Sequence, residues 1–228
     1  MSSPASPASA TQAASATRTA SVTRVASATR AASVTRVAST TSVEAHRLHL
    51  NEAGYAVERL VASDIADYVA LVDSAYRGES AKQGWTSEAD ILGGQRLDAK
   101  MARDMLAEEN SVILLVRDGR SRAVASVYLR EPTDGQAYLG VLAVSPKGQG
   151  KGLGSALIDL AEAWAAERWS AHSLRMSVIN KREDLIAYYE RRGYQRTGDI
   201  EPFPYGDERV GLPKVDDLEF VLLRKRLN

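Results

Sequence analysis

Residues 137–167 read AYLGVLAVSPKGQGKGLGSALIDLAEAWAAE. The first eight residues are apolar throughout, which predicts a central β-strand covered on both faces. Gly148, Gly150, Gly152 and Gly154 then interrupt the run, after which Leu153, Leu157, Leu160, Ala161 and Trp164 recur at helical spacing. A strand passing through a glycine turn into a helix builds an anion site. Glycine lets the backbone approach closely, and the unpaired N–H groups at the positive end of the helix point at a phosphate. Two common phosphate loops are ruled against by single residues. A Walker A loop needs Ser or Thr after Gly-Lys, and Gly152 follows Gly150-Lys151. The dinucleotide fingerprint, begun at Gly148 or Gly150, would need glycine where Leu153 and Ser155 stand.

Working outward from this stretch, the chain from Gly54 onward alternates β-branched runs with helix-period segments, the pattern of an α/β domain. GYAVERLV predicts a strand closing near Val61. Ser63 or Asp64 can cap a helix on which Ile65, Tyr68, Val69, Leu71, Val72 and Tyr76 recur, with Gly78 ending it. The segment from Arg77 to Gln95, with its glycine breaks and Trp85, is long for a mere connection and reads as part of a binding site. Leu97–Glu108 predicts a second helix, and SVILLVRDGRSRAVASVYLR, from Ser111, a hairpin.

Composition narrows the chemistry. The chain has 228 residues and no cysteine, which excludes disulfides, thiolate metal sites and a cysteine nucleophile. Only His46, His49 and His172 offer imidazole, so a metal centre is not expected. No apolar run approaches the roughly 20 residues that span a bilayer. The zero net charge hides an asymmetry. Up to Val43 there are four Arg and no acid, leaving 25 of the 29 basic residues against all 29 acids from Glu44 onward, a net charge of −4. Within the basic part a hexapeptide repeats four times from Ser15 to Ala38 (SATRTA, SVTRVA, SATRAA, SVTRVA). Six residues advance a helix by about 600°, so no amphipathic stripe forms. Residues 1–43 therefore read as a disordered low-complexity tail and 44–228 as the folded domain. A transit peptide, a nucleic-acid-binding arm and a start codon placed too far upstream are the alternatives. Cytoplasmic location is the default, with mitochondrial the alternative for a eukaryotic source.

Gln149-x-x-Gly152-x-Gly154 resembles the Q/R-x-x-G-x-G/A pyrophosphate loop of the GCN5-related N-acetyltransferase (GNAT) superfamily. Further on, LRMSVINKREDLIAYYERRGYQRTG resembles the second family signature, carried by Tyr189-Glu190-Arg191-Arg192-Gly193-Tyr194, and LEFVLLRKRL, from Leu218, the closing strand. The resemblance covers the chain from about Gly54 to the end. It implies a mixed, mostly antiparallel sheet flanked by helices, with acetyl-CoA as cosubstrate, no metal, a primary amine, most simply of a small molecule, as acceptor, and a monomer or homodimer without nucleic-acid or membrane partners. Protein N-acetylation and a non-catalytic CoA-binding module are the alternatives.

The family pattern places the pantetheine arm on the backbone of Leu142, Ala143 and Val144. It places the pyrophosphate on Gln149, Gly150, Lys151, Gly152, Leu153, Gly154 and Ser155. Tyr189 matches the tyrosine that protonates the departing thiolate, with packing on the sheet as its other reading. Two departures stand out. Arg182 occupies the position where many members have Asn, and Tyr138 the position of their strand glutamate. No base follows from the motif. Glu88 and Asp90 in the long segment are the carboxylates available, and both read equally well as helix-start acids. Trp85 and the turn EPFPYGDERVGLP (Glu201–Pro213) look like walls of an acceptor pocket, Trp85 equally like a core anchor.

Overall fold

The computed structural model describes residues 41–77, 81, 84 and 86–228. Gly78, Trp85 and the repeat tail up to residue 40 lie outside the described residues. Thr41–Val43, placed in the tail by composition, are described: Ser42–Glu52 form the first helix, α1. Thr41 Oγ1 caps it by accepting from Glu44 N. The N–H groups of Ser42 and Val43 donate to the Glu167 carboxylate at 2.6 and 3.3 Å, and Val43 is buried. Nothing periodic announces α1, because only Val43 and Leu50 on it are buried.

Among the described residues the further α-helices are α2 (Ile65–Tyr76), α3 (Ala99–Ala107), α4 (Leu153–Trp169) and α5 (Glu183–Arg191). The strands are β1 (Tyr55–Arg59), β2 (Leu92–Gly93), β3 (Ser111–Asp118), β4 (Ala123–Thr133), β5 (Gln136–Val144), β6 (Ser173–Ile179), β7 (Gln195–Pro202), β8 (Leu212–Pro213) and β9 (Glu219–Arg226). Seven of them form one sheet in the order β1-β3-β4-β5-β6-β9-β7, and β2 pairs with β8 apart from it. Every neighbouring pair in the large sheet is antiparallel except β5 and β6. These two are joined through α4, the crossover that a parallel pair requires. The mixed, mostly antiparallel sheet flanked by helices is therefore the observed fold.

Strand alternation distributes the core. Val112, Leu114 and Val116 of β3 join the cluster under α1, α4 and α5, whereas Ile113 and Leu115 join the one under α2 and α3. Helix starts follow local chemistry. Asp98 caps α3 by accepting from Met101 N at 2.7 Å. Asp64 does otherwise than expected: a 3₁₀ turn, Ala62–Asp64, precedes α2, and the Asp64 carboxylate reaches back to accept from Val61 N at 3.0 Å.

Candidate active site

The site begins where β5 and β6 stop pairing. Their parallel register holds only for Gln136↔Ser173, Ala137↔Leu174 and Tyr138↔Arg175. Beyond Tyr138 the strands diverge, which is why Tyr138 and Gly140–Leu142 are only half-buried although the sequence reads as fully buried. On its other edge β5 carries a bulge. Tyr128 pairs with Gly140 but Ser126 pairs with Ala143, so two β5 residues oppose one of β4. Val141 within it has φ of 44°, a left-handed conformation that a β-branched residue adopts only when its surroundings impose it. Just past this point the Tyr76 hydroxyl, from the end of α2, donates to the Leu142 carbonyl at 2.7 Å.

Two cavities open from the gap. The first, of about 240 Å³, runs from Leu142 and Val144 to the glycine loop and across to Tyr188 and Tyr189 of α5. Its far wall comprises Gln149, Gly150 and Gly152–Ser155. Gly150 and Gly152 have φ of 75° and 78°, so the turn itself requires glycine there. No side chain caps α4, which leaves the N–H groups of its first turn directed at this space. Of the residues the pattern assigns to the cofactor, two stand apart. Ala143 is packed in the α2–α3 core, and Lys151 borders a different cleft together with Lys147 and Arg122.

Gln149 has a bracing function that its motif position does not reveal. Its Nε2 donates to Val144 O at 3.0 Å and to Thr86 Oγ1 at 2.9 Å. A Cβ at Gly84 would meet that side chain at 2.7 Å, so glycine is what admits the loop so close. Arg182, the departure from the family pattern, holds the same segment. Buried, it donates from Nη1 to the carbonyls of Thr86 and Ser87 and pairs through Nε with Asp184 at 3.1 Å.

The second cavity, of about 320 Å³, lies between the splayed halves of β5 and β6 and is walled in part by Glu201, Pro204 and Val210 of the expected turn. The two cavities meet at Tyr76, Leu142, Leu185 and Tyr189. Tyr189 is buried and stands edge-on between Tyr188 and Tyr194, with ring centroids 5.4 and 5.8 Å away. Burial pushes its phenol far above the ordinary value, and no described residue hydrogen-bonds its hydroxyl. Tyr188 turns to the glycine loop instead, bonding Ser155 Oγ at 3.0 Å.

Glu88 lines the second cavity, and its Oε2 accepts from Arg77, itself buried. Asp90 is exposed and lies outside both cavities. Among the described residues no group of three or more His, Cys, Asp or Glu is placed to hold a metal, and no helix is long and apolar enough to cross a membrane. Sequence reasoning missed Tyr76, Arg77 and Arg96. None belongs to a motif, and each reaches the site only through tertiary packing.

No curated protein sequence matches the chain. Among solved structures, similar folds include the ribosomal-protein-S18-alanine N-acetyltransferase from Escherichia coli (TM-score 0.55, 16% identity, 76% of this chain and 94% of that one). A variant of spermidine N-acetyltransferase from Vibrio cholerae is also similar (0.54, 14%, 76% and 94%). So is a GNAT-family acetyltransferase from Staphylococcus aureus (0.53, 14%, 76% and 99%). At these identities the likeness speaks for the fold alone. The sequence model of the acetyltransferase (GNAT) family matches residues 71–194, more than half of the chain, and spans the splayed strands, the glycine loop and Tyr189. The chain belongs to the GNAT family and is an acyltransferase.

Proposed function

We propose that the protein transfers the acetyl group of acetyl-CoA to a primary amine of a small molecule by direct attack on the thioester. The observation that carries this reading is the junction of the two cavities at Leu142 and Tyr189. One cavity ends in a helix N-terminus suited to pyrophosphate and the other is lined by polar side chains. The pyrophosphate would take the N–H groups from Gly150 to Ser155, and the pantetheine arm would run along Leu142 and Val144. The carbonyls of those two residues already accept from Tyr76 and Gln149, and each keeps a second lone pair.

The chemistry then has three parts. The neutral amine attacks the thioester carbon, forming the C–N bond, and a backbone N–H of the bulged strand stabilises the oxyanion. The C–S bond breaks, and the Tyr189 hydroxyl gives its proton to the thiolate. The proton shed by the amine goes to Glu88, whose Oε2 is engaged by Arg77 while no described residue donates to Oε1. Glu88→Gln is expected to lower kcat/KM about 10²-fold, the lower end for a general base. Retention of full activity would assign the proton to water alone.

Calorimetric titration with acetyl-CoA, followed by free-CoA release with a panel of primary amines, tests the reading as a whole. Micromolar binding and amine-dependent release are expected. Absence of acetyl-CoA binding would overturn the proposal.

A further inference from the structure

Four charged side chains line the second cavity, and three are accounted for. Glu88 is paired with Arg77, and Arg182 is held by Asp184 and the Thr86 and Ser87 carbonyls. Glu201 is exposed at the end of β7. The fourth is Arg96. It is half-buried, and its guanidinium lies over the Tyr76 ring at 5.5 Å. Among the described residues it makes no side-chain hydrogen bond, and no carboxylate lies within ion-pair distance.

Arg96 is nevertheless held in place. The Asp73 carboxylate of α2 accepts from the backbone N–H of Arg96 at 2.8 Å and of Leu97 at 3.3 Å, and Leu97 is fully buried beside it. The backbone is thus pinned on one side and the side chain stacked on an aromatic face on the other. A guanidinium brings five donors in a planar fork that matches a carboxylate in two parallel hydrogen bonds. Half-exposed, those donors stay open toward the cavity, where a bound carboxylate would meet them with two charge-assisted bonds. Its position is informative as well. One tyrosine ring separates Arg96 from the Leu142 carbonyl, the place where the two cavities meet. Glu88 shares the cavity wall and favours the charged form of Arg96. Positive and negative groups therefore face one small space.

We infer that the acceptor is an amine carrying a carboxylate a few bonds away, such as an α-amino acid, with Arg96 binding the carboxylate and Glu88 facing the amine. This rests on the acetyltransferase reading above and names its substrate class. A charge of −4 spread over the surface attracts cations at long range, but contact with Arg96 in a confined cavity decides which of them fit.

The test measures free-CoA release from acetyl-CoA with a panel of L-amino acids, their methyl esters and the corresponding decarboxylated amines, beside calorimetric titration of acetyl-CoA. At least one free acid is expected to exceed its ester and its decarboxylated amine about tenfold or more in kcat/KM. With Arg96→Gln that preference is expected to collapse to near unity, the loss carried by KM of the acid rather than by kcat. Arg96→Lys, which keeps charge without the fork, is expected to fall between. Decarboxylated amines outperforming the acids, or Arg96→Gln slowing acid and amine alike, would overturn the assignment and leave the acetyltransferase reading standing. So would acetyl-CoA binding with no carboxylated amine acetylated. Failure to bind acetyl-CoA would overturn both, and calorimetry reports it separately. The wild-type panel decides the question even if an Arg96 variant does not fold.

Discussion

Tyr189→Phe is expected to lower kcat about 10³-fold while changing acetyl-CoA affinity by less than about threefold. The phenol ring packs between Tyr188 and Tyr194 and lines both cavities, and Phe preserves that packing. Only the hydroxyl is lost, and no described residue depends on it. The pKa direction bears on the mechanism. Burial raises the phenol far above its ordinary value, which by itself would make it a poor acid toward a thiolate whose conjugate acid is near 8.5 in water. The same desolvation raises the thiolate, however, so the two stay closer in proton affinity than their solution values imply. No solvent route substitutes easily in a buried junction, which places the effect toward the upper range for a general acid. The sign for pH follows. In the proposed mechanism the protonated phenol is the active form, and a raised pKa keeps it protonated past about pH 10, its unperturbed value. The wild-type kcat profile should rise with deprotonation of the amine and show no descending limb below that point. Lost affinity with kcat unchanged would make Tyr189 a packing residue.

Much of this arrangement was legible because it depends on residues near each other in the chain. The eight apolar residues from Ala137, the glycines that follow and the leucine spacing of α4 specify a strand, a turn and a helix by local rules alone. The order in which Tyr189 and the closing strand follow them then matches a known pattern. What local rules could not supply is what tertiary approach creates. AYLGVLAV reads as a strand covered on both faces, yet its middle is half-buried, because the divergence of β5 from β6 depends on residues 35 and more positions later. Arg96 sits in GGQRL with nothing to distinguish it from a solvated arginine. Asp73 and Tyr76, twenty and more residues earlier, are what turn it into a cavity-lining group. Arg182 registered only as a departure from a pattern, although it ties the Thr86–Ser87 stretch to the start of α5. Helix α1 escaped for a different reason: the Glu167 carboxylate caps it by accepting from the Ser42 and Val43 N–H groups, and such a contact leaves no periodic trace.

Gly154→Glu separates the proposed cofactor function of the glycine loop from its structural one, with an expected loss of acetyl-CoA affinity of about 10³-fold and no loss of stability. The loop contains two kinds of glycine. At Gly150 and Gly152 a side chain would force a strained left-handed residue, so any substitution there confounds folding with binding. Gly154 lies inside the first turn of α4 without positive φ, and a Cβ there would meet only Val144 Cγ2, at 3.5 Å, an ordinary contact. A residue with a side chain favours the helix by about 0.5–1 kcal/mol over glycine. A carboxylate in a first turn that now holds no acid adds about 0.3–1 kcal/mol through the helix dipole. Thermal denaturation should therefore show Tm held or raised, by up to about 8 °C. For a phosphate the same carboxylate is repulsive, by about 4 kcal/mol at 4 Å in a partly solvated setting, which is about 10³ in affinity. Gly154→Ala, with the Cβ but no charge, is expected to bind within about threefold of wild type, because ordinary van der Waals contact costs little. If Gly154→Glu binds acetyl-CoA as the wild type does, the N-terminus of α4 is not the pyrophosphate site, and the glycines serve only to turn the chain from β5 into the helix.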